Sequence, residues 1–257
     1  MIIGDVASVT SLALNMAEMS KKERAQKLIN TLFTRRIRIA VYGDSGVGKS
    51  QFLRMMTGKN SYLSVSERTR SIERHNVILR SGRKIQFIDM PGHESNKAVR
   101  DKILNDIIRG KIDGIINVVD YGYQDSELLQ KDPSTAFKAG TNEVRPEYLR
   151  DNRKREIRRT QEFIERIGPD VSLKWVITVI NKADVWHSQR EEIIDYYTTG
   201  EYYNTVRAIE KACSLEVRPL CSVITPFGNK EMMLTYCERD KVSDFESLLS
   251  LIEEIIK

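Results

Sequence analysis

Apolar positions along this chain follow two periods. From about Val6 to Phe33, Val9, Leu12, Met16 and Met19 recur at helical spacing, and Ala25, Leu28, Ile29 and Leu32 resume the stripe after a charged interval. Short, β-branched runs come next, each bounded by turn signals. They predict strands over 36–42, over RHNVILR and KIQFIDM on either side of Ser81-Gly82, and over IDGIINVVD, LKWVITVIN and VRPLCSVI. Between them, helical periodicity predicts a helix from Lys49 to about Thr57, stopped by Gly58, and another over KAVRDKILNDIIRG. A long basic helix is opened by Pro146 and closed by Gly168-Pro169, with Leu149, Ile157, Ile164 and Ile167 as its apolar stripe. EEIIDYYTTGEYYNTVRAIEKAC reads as helix broken near Gly200. SDFESLLSLIEEII reads as the final helix, with Ser243 and Glu246 as its capping box.

Strands alternating with helices predict an α/β fold. Its sheet is six-stranded and mostly parallel, with one antiparallel hairpin pair and helices on both faces. Residues 1–34 are then a helical extension, and 35–257 form one domain with an insertion near 121–148. Ligands of such sheets sit beyond the carboxyl ends of the strands. The segments just past the strands are therefore where chemistry is expected.

With 257 residues, 40% hydrophobic and 30% charged, the chain can bury an ample core without a staple. Cys213, Cys221 and Cys237 are few and lack metal spacing, so they read as reduced thiols of a cytoplasmic protein. A net charge of +5 slightly favours acidic partners but does not indicate DNA. No apolar run approaches the roughly 20 residues needed to cross a bilayer, and the N-terminus lacks the charged-then-apolar order of a secretory signal.

The strand ending at Tyr42 runs into GDSGVGKS, residues 43–50, which satisfies Gly-x-x-x-x-Gly-Lys-Ser. Glycines let the loop's N–H groups point inward, and the next helix adds its positive end, so the segment suits phosphate. Asp44, Ser45, Gly46, Val47, Gly48, Lys49, Ser50 and Gln51 would line it. Lys49 would reach the outer phosphates and the Ser50 hydroxyl would bind Mg²⁺.

Asp89 closes the hairpin's second strand in IDMPGH, where a carboxylate can hold Mg²⁺ through water, and Gly92 can turn its N–H toward a γ-phosphate. NKAD at 181–184 comes directly after the strand WVITVI. Asp184 could accept from both the ring N–H and the exocyclic amine of guanine, a donor pair that adenine lacks. Asn181 would brace the loops and the Lys182 stem would lie over the base.

These segments together resemble the translation-factor-related class of P-loop GTPases, the group holding Ras-like proteins and translational G domains, over roughly residues 36–257. The resemblance implies GTP and GDP as substrate and product, with Mg²⁺ as cofactor. It further implies that Thr69, in SERTRS, binds Mg²⁺ and the γ-phosphate in the GTP state only; Ser64, Ser66 and Ser71 are its rivals. His93, which completes DMPGH as in translational GTPases, would orient the attacking water. The catalytic set is thus Lys49, Thr69 and His93, and the metal set Ser50, Thr69 and Asp89. The last base-contacting element would be Cys221-Ser222 or Ser222-Val223.

The implied activity is GTP hydrolysis, slow alone and stimulated by a partner, with the conformational change read by an effector. A ribosome- or RNA-associated GTPase, or a scaffold that binds GTP with negligible hydrolysis, are the alternatives. The arginines of the long helix are either a solvated flank or a surface for acidic partners or RNA. The N-terminal helix could pack on the domain, dock a partner or a second copy of the chain, or lie on a membrane surface.

Overall fold

In a computed structural model, residues 35–58, 73–92, 97–124, 129, 132–224, 227 and 236–257 are described. The expected N-terminal helix, Thr69 with its rival serines, and His93 lie outside them. So do parts of the expected insertion, residues 125–128 and 130–131.

In chain order the elements are β1 (Ile37–Tyr42), α1 (Lys49–Met56), β2 (Glu73–Ile78), β3 (Lys84–Asp89), α2 (Lys97–Ile108), β4 (Gly114–Val119), α3 (Pro146–Ile167), β5 (Trp175–Ile180), α4 (Ala183–Trp186), α5 (Arg190–Thr198), α6 (Glu201–Val206), β6 (Ser214–Pro219) and α7 (Glu238–Ile255). The sheet runs β2-β3-β1-β4-β5-β6. β1 pairs in parallel with β3 and β4, β4 with β5 and β5 with β6, while β2 is antiparallel to β3.

Helices cover both faces. Ala40, Ile88, Ile115, Val176 and Ile180 point to the side packed by α2, α3, α5 and α6. Ile39, Val41, Phe87, Ile116, Val118, Ile177 and Val179 point to the side packed by α1 and α7. All six residues of β4 are buried, which is why its sequence is apolar on both faces apart from Asn117, whose Nδ2 donates to Tyr202 Oη. β2, by contrast, is an edge strand, and its residues ERHNVI, the first four charged or polar, are all at least partly exposed.

Three local expectations are corrected. β6 runs from Ser214 to Pro219, starting three residues before the predicted VRPLCSVI and sharing only Val217, Arg218 and Pro219 with it. Its ladder with β5 closes at Ile180↔Pro219, and Leu220 N donates to Ile180 O (2.8 Å) as the chain leaves the sheet. The final helix starts at Glu238, where Cys237 and Asp240 form the reciprocal cap; Ser243 is inside the helix and Glu246 pairs with Arg80 at 2.7 Å. On α3 the buried face carries Asn152, Glu156, Thr160, Phe163, Ile164 and Ile167, whereas Leu149 and Ile157 are only partly buried. In its first half the buried Asn152 and Glu156 meet a backbone carbonyl and a tyrosine hydroxyl, so a polar stripe is what fits there.

Candidate functional site

Among the described residues, the segments that carry candidate chemistry leave strands at their carboxyl ends, and main-chain bonds stitch those exits together. Met90 N donates to Val41 O (3.0 Å), Asn181 N to Val119 O (2.7 Å) and Ala183 N to Leu220 O (3.0 Å). β1 sits between β3 and β4, so the loop leaving β1 is flanked by the loops leaving its two neighbours.

The 43–48 loop enters α1 through Gly48, which is left-handed with φ 92°. A Cβ there would lie 2.3 Å from Asn181 Nδ2, a clash on top of the backbone strain. Lys49 is only 8% exposed, and its ammonium donates to Gly43 O (2.9 Å) and Asp44 O (2.7 Å). Burial pulls its pKa down, while the charges of Asp89, Asp44 and Asp120 push it back up. The site thus holds a desolvated cation surrounded by carboxylates. Phosphate oxygens would be stronger acceptors for it than the two carbonyls.

Gly92 closes over the same loop: a Cβ on it would come within 2.7 Å of Lys49 Nζ and 2.9 Å of Ser45 N. Asp89 lies opposite Val41 in the ladder and is almost completely buried. Ser50, in the first turn of α1, and Asp89 offer a hydroxyl and a carboxylate. These oxygen donors suit a hard divalent cation whose remaining positions go to phosphate and water.

Asn181, buried at the end of β5, is the tie of the site. Its Nδ2 donates to Val47 O at 2.8 Å, and its Oδ1 accepts from Ser222 N (3.1 Å) and Ser222 Oγ (2.9 Å). One amide therefore joins the phosphate loop to the segment after β6. Lys182 takes a left-handed backbone, φ 60°, and its ammonium reaches Gly46 O (2.8 Å), Asp120 Oδ2 (3.0 Å) and Tyr123 O. Asp184 is buried in the first turn of α4. Its Oδ1 accepts from Cys221 Sγ at 3.2 Å, and burial beside that carboxylate pushes the Cys221 thiol pKa up, so the sulfur keeps the proton it donates. Val223 is partly buried next to Ser222.

Asp120, Glu156 and Arg155 belong to the site although no sequence motif marks them. Asp120 is fully buried; its only advertisement is a carboxylate at the end of INVVD. Glu156 lies on a stripe with Asn152 and Thr160 at spacing of four, a regularity masked by the charges around it. Its Oε1 accepts from Tyr197 Oη (2.6 Å) and its Oε2 from Asp120 N (3.2 Å). Burial, with help from the Asp120 charge, pushes its pKa up from the ordinary 4.5 to about 8.

A raised folded-state pKa means the native protein keeps a proton that the unfolded chain releases. This contribution to stability is complete below the ordinary value and is lost as pH climbs through about 8. Each pH unit inside that window costs up to about 1.4 kcal/mol. Melting of the nucleotide-free protein is therefore expected to drop from pH 5 to pH 8, by up to a few kcal/mol in equivalent stability. Glu156→Gln is expected to flatten the profile, since a glutamine can accept from Asp120 N and donate to the Tyr197 oxygen. Parallel profiles for the two proteins would rule the assignment out.

Comparison with known proteins bears on this geometry. The sequence profile described as "50S ribosome-binding GTPase" matches residues 38–182, which include the phosphate loop, Asp89 and the start of NKAD. No curated protein sequence matches the chain. Among solved structures, the G domain of the T. maritima FeoB iron transporter aligns at TM-score 0.41 with 16% identity, covering 87% of this chain and all of that one. An Aquifex aeolicus Era variant bound to GDP·AlF4⁻ aligns at TM-score 0.46 with 17% identity, covering 84% of this chain and 57% of that one. The profile spans more than half of the residues, from β1 to the loop after β5, and on that ground the chain belongs to the family of 50S ribosome-binding GTPases, a GTP-binding GTPase family.

Proposed function

We propose that this protein is a Mg²⁺-dependent, cytoplasmic GTPase switch of the translation-factor-related class, slow by itself and accelerated by a partner. The observation that carries the reading is the Asn181 bridge: one buried side chain holds the phosphate loop at Val47 and the post-β6 segment at Ser222, which brings Lys49 and Asp184 to one sheet edge. In this reading Lys49 exchanges its two carbonyl partners for the outer phosphates. Ser50, Thr69 and Asp89 would hold Mg²⁺, whose charge would offset that developing on the phosphates. Asp184 accepts from guanine, Lys182 lies along the base, and Cys221-Ser222 or Ser222-Val223 presents backbone to it.

Thr69 and Gly92 sense the γ-phosphate and relax when it leaves, and His93 orients the attacking water. A histidine beside phosphates is useful chiefly if something presses it into place, which favours a stimulating protein partner and an effector that reads the GTP state.

Ribosome or RNA association is the second reading; the matched family's description and the arginines of α3 favour it. Timed phosphate release separates the possibilities. Turnover by the protein alone is expected below about 1 per second and should rise when cell extract is added. Release that stays at the buffer blank in both conditions would leave a scaffold that binds GTP without hydrolysing it. Co-sedimentation with ribosomes under a non-hydrolysable GTP analogue, but not under GDP, would identify the ribosome as the partner.

A further inference from the structure

An acidic side chain inside a phosphate loop is a problem for a protein that binds polyphosphate, and Asp44 is such a residue. Its side chain is 11% exposed. Oδ1 accepts from Ser45 N at 2.7 Å, while its own carbonyl takes the Lys49 ammonium. Its charge is felt at Lys49, Tyr42, Asp120 and Glu156, groups that line the site. A bare carboxylate there would repel the incoming phosphates.

The structure supplies the counter-charge from α3. Arg155 Nε donates to Asp44 Oδ2 at 3.1 Å, and Gln124 Nε2 donates to the same oxygen at 3.3 Å. The guanidinium is aimed from behind: its NH2 nitrogen donates to Asn152 Oδ1 (3.0 Å), and Asn152 Nδ2 donates to Gly122 O (2.8 Å). Neighbouring arginines behave differently. Arg150, Arg158 and Arg159 pair with acids of the same helix, and Arg153 lies over the Tyr121 ring. Arg155 reaches 111 residues back along the chain to the loop.

We propose that Arg155 is a positioning residue for nucleotide binding: it neutralises Asp44 and fixes its carboxylate so that the loop accepts a nucleoside polyphosphate. The inference rests on the proposed GTP binding. It also gives one of the α3 arginines a task inside the protein, apart from any acidic partner. The arginine is 44% exposed, so the effect is moderate and weakens with salt.

The test is titration of fluorescent GDP and GTP analogues onto wild type, Arg155→Ala, Asp44→Asn, the double variant and Arg158→Ala, at low and high salt. Arg155→Ala is expected to weaken binding about three- to tenfold at low salt, more for the triphosphate. Adding Asp44→Asn should restore most of that loss, because the charge needing neutralisation is gone. Arg158→Ala, which removes the same formal charge one turn away, should stay within about twofold of wild type. Arg155→Gln serves as a second probe if the alanine variant melts early, and the same weakening with the same rescue is expected of it. Wild-type affinity in Arg155→Ala, or a double variant as weak as the single one, overturns the inference while GTP binding stands. A wild-type protein that takes up no guanine nucleotide overturns both.

Discussion

Alanine at Lys49 is expected to lower affinity for GTP and GDP by at least about a hundredfold, the equivalent of roughly 3 kcal/mol. The size follows from burial. The ammonium is almost without solvent and holds two loop carbonyls, Gly43 O and Asp44 O. Burial pulls its pKa down, and nearby Asp89 and Asp44 oppose that shift. Phosphates entering the Lys49→Ala site would meet those carboxylates with no cation between them, so a lost attraction becomes a net repulsion. Isothermal titration or analogue fluorescence checks this. A melting curve without nucleotide, taken alongside, separates loss of the site from loss of the fold. Binding within tenfold of wild type in a folded Lys49→Ala protein would mean that phosphate is held elsewhere.

Asp184→Asn is expected to reverse base preference. GTP should lose at least about a hundredfold relative to xanthosine triphosphate, because in the proposed site a buried acceptor of guanine's donor pair would be left facing mismatched groups. The structure adds a reason for a clean switch. Cys221 donates its S–H to Asp184 Oδ1, and a thiol whose pKa is pushed up does not give up that proton. In the variant this donor would hold the amide oxygen on the sulfur side, turning the amide N–H₂ toward the base. Guanine presents donors there, whereas xanthine carries a carbonyl in place of the exocyclic amine. Competition between the two triphosphates for one labelled probe reads the ratio directly. Unchanged guanine selectivity in Asp184→Asn would remove Asp184 from the base site.

Much of the architecture is legible in local pattern. Each buried strand announces itself as a short β-branched run because both faces of the sheet are covered. The glycine-rich turn before Lys49 is legible because the required backbone is one that few other residues adopt. Element ends are less so. Pro219 and the Cys237–Asp240 cap set where β6 stops and α7 starts, and a better-looking Ser243–Glu246 pair conceals the true start of the helix. The glutamate's partner is Arg80, 166 residues away in sequence.

Short motifs along the chain are enough to name residue types suited to phosphate, magnesium and guanine, since most of those residues sit in segments of a few residues directly after a strand. Which side chains meet is decided only by the sheet order, with β1 placed between β3 and β4. That order brings Asn181 to Val47 across 134 residues, Arg155 to Asp44 across 111 and Lys182 to Asp120 across 62. Such contacts leave no periodic trace, because a pairing energy between distant residues depends on the path of the whole chain and not on its neighbours in sequence. The buried polar stripe of α3 is hidden for the same reason: Glu156 is as charged as the residues around it until Tyr197 and Asp120 close over it.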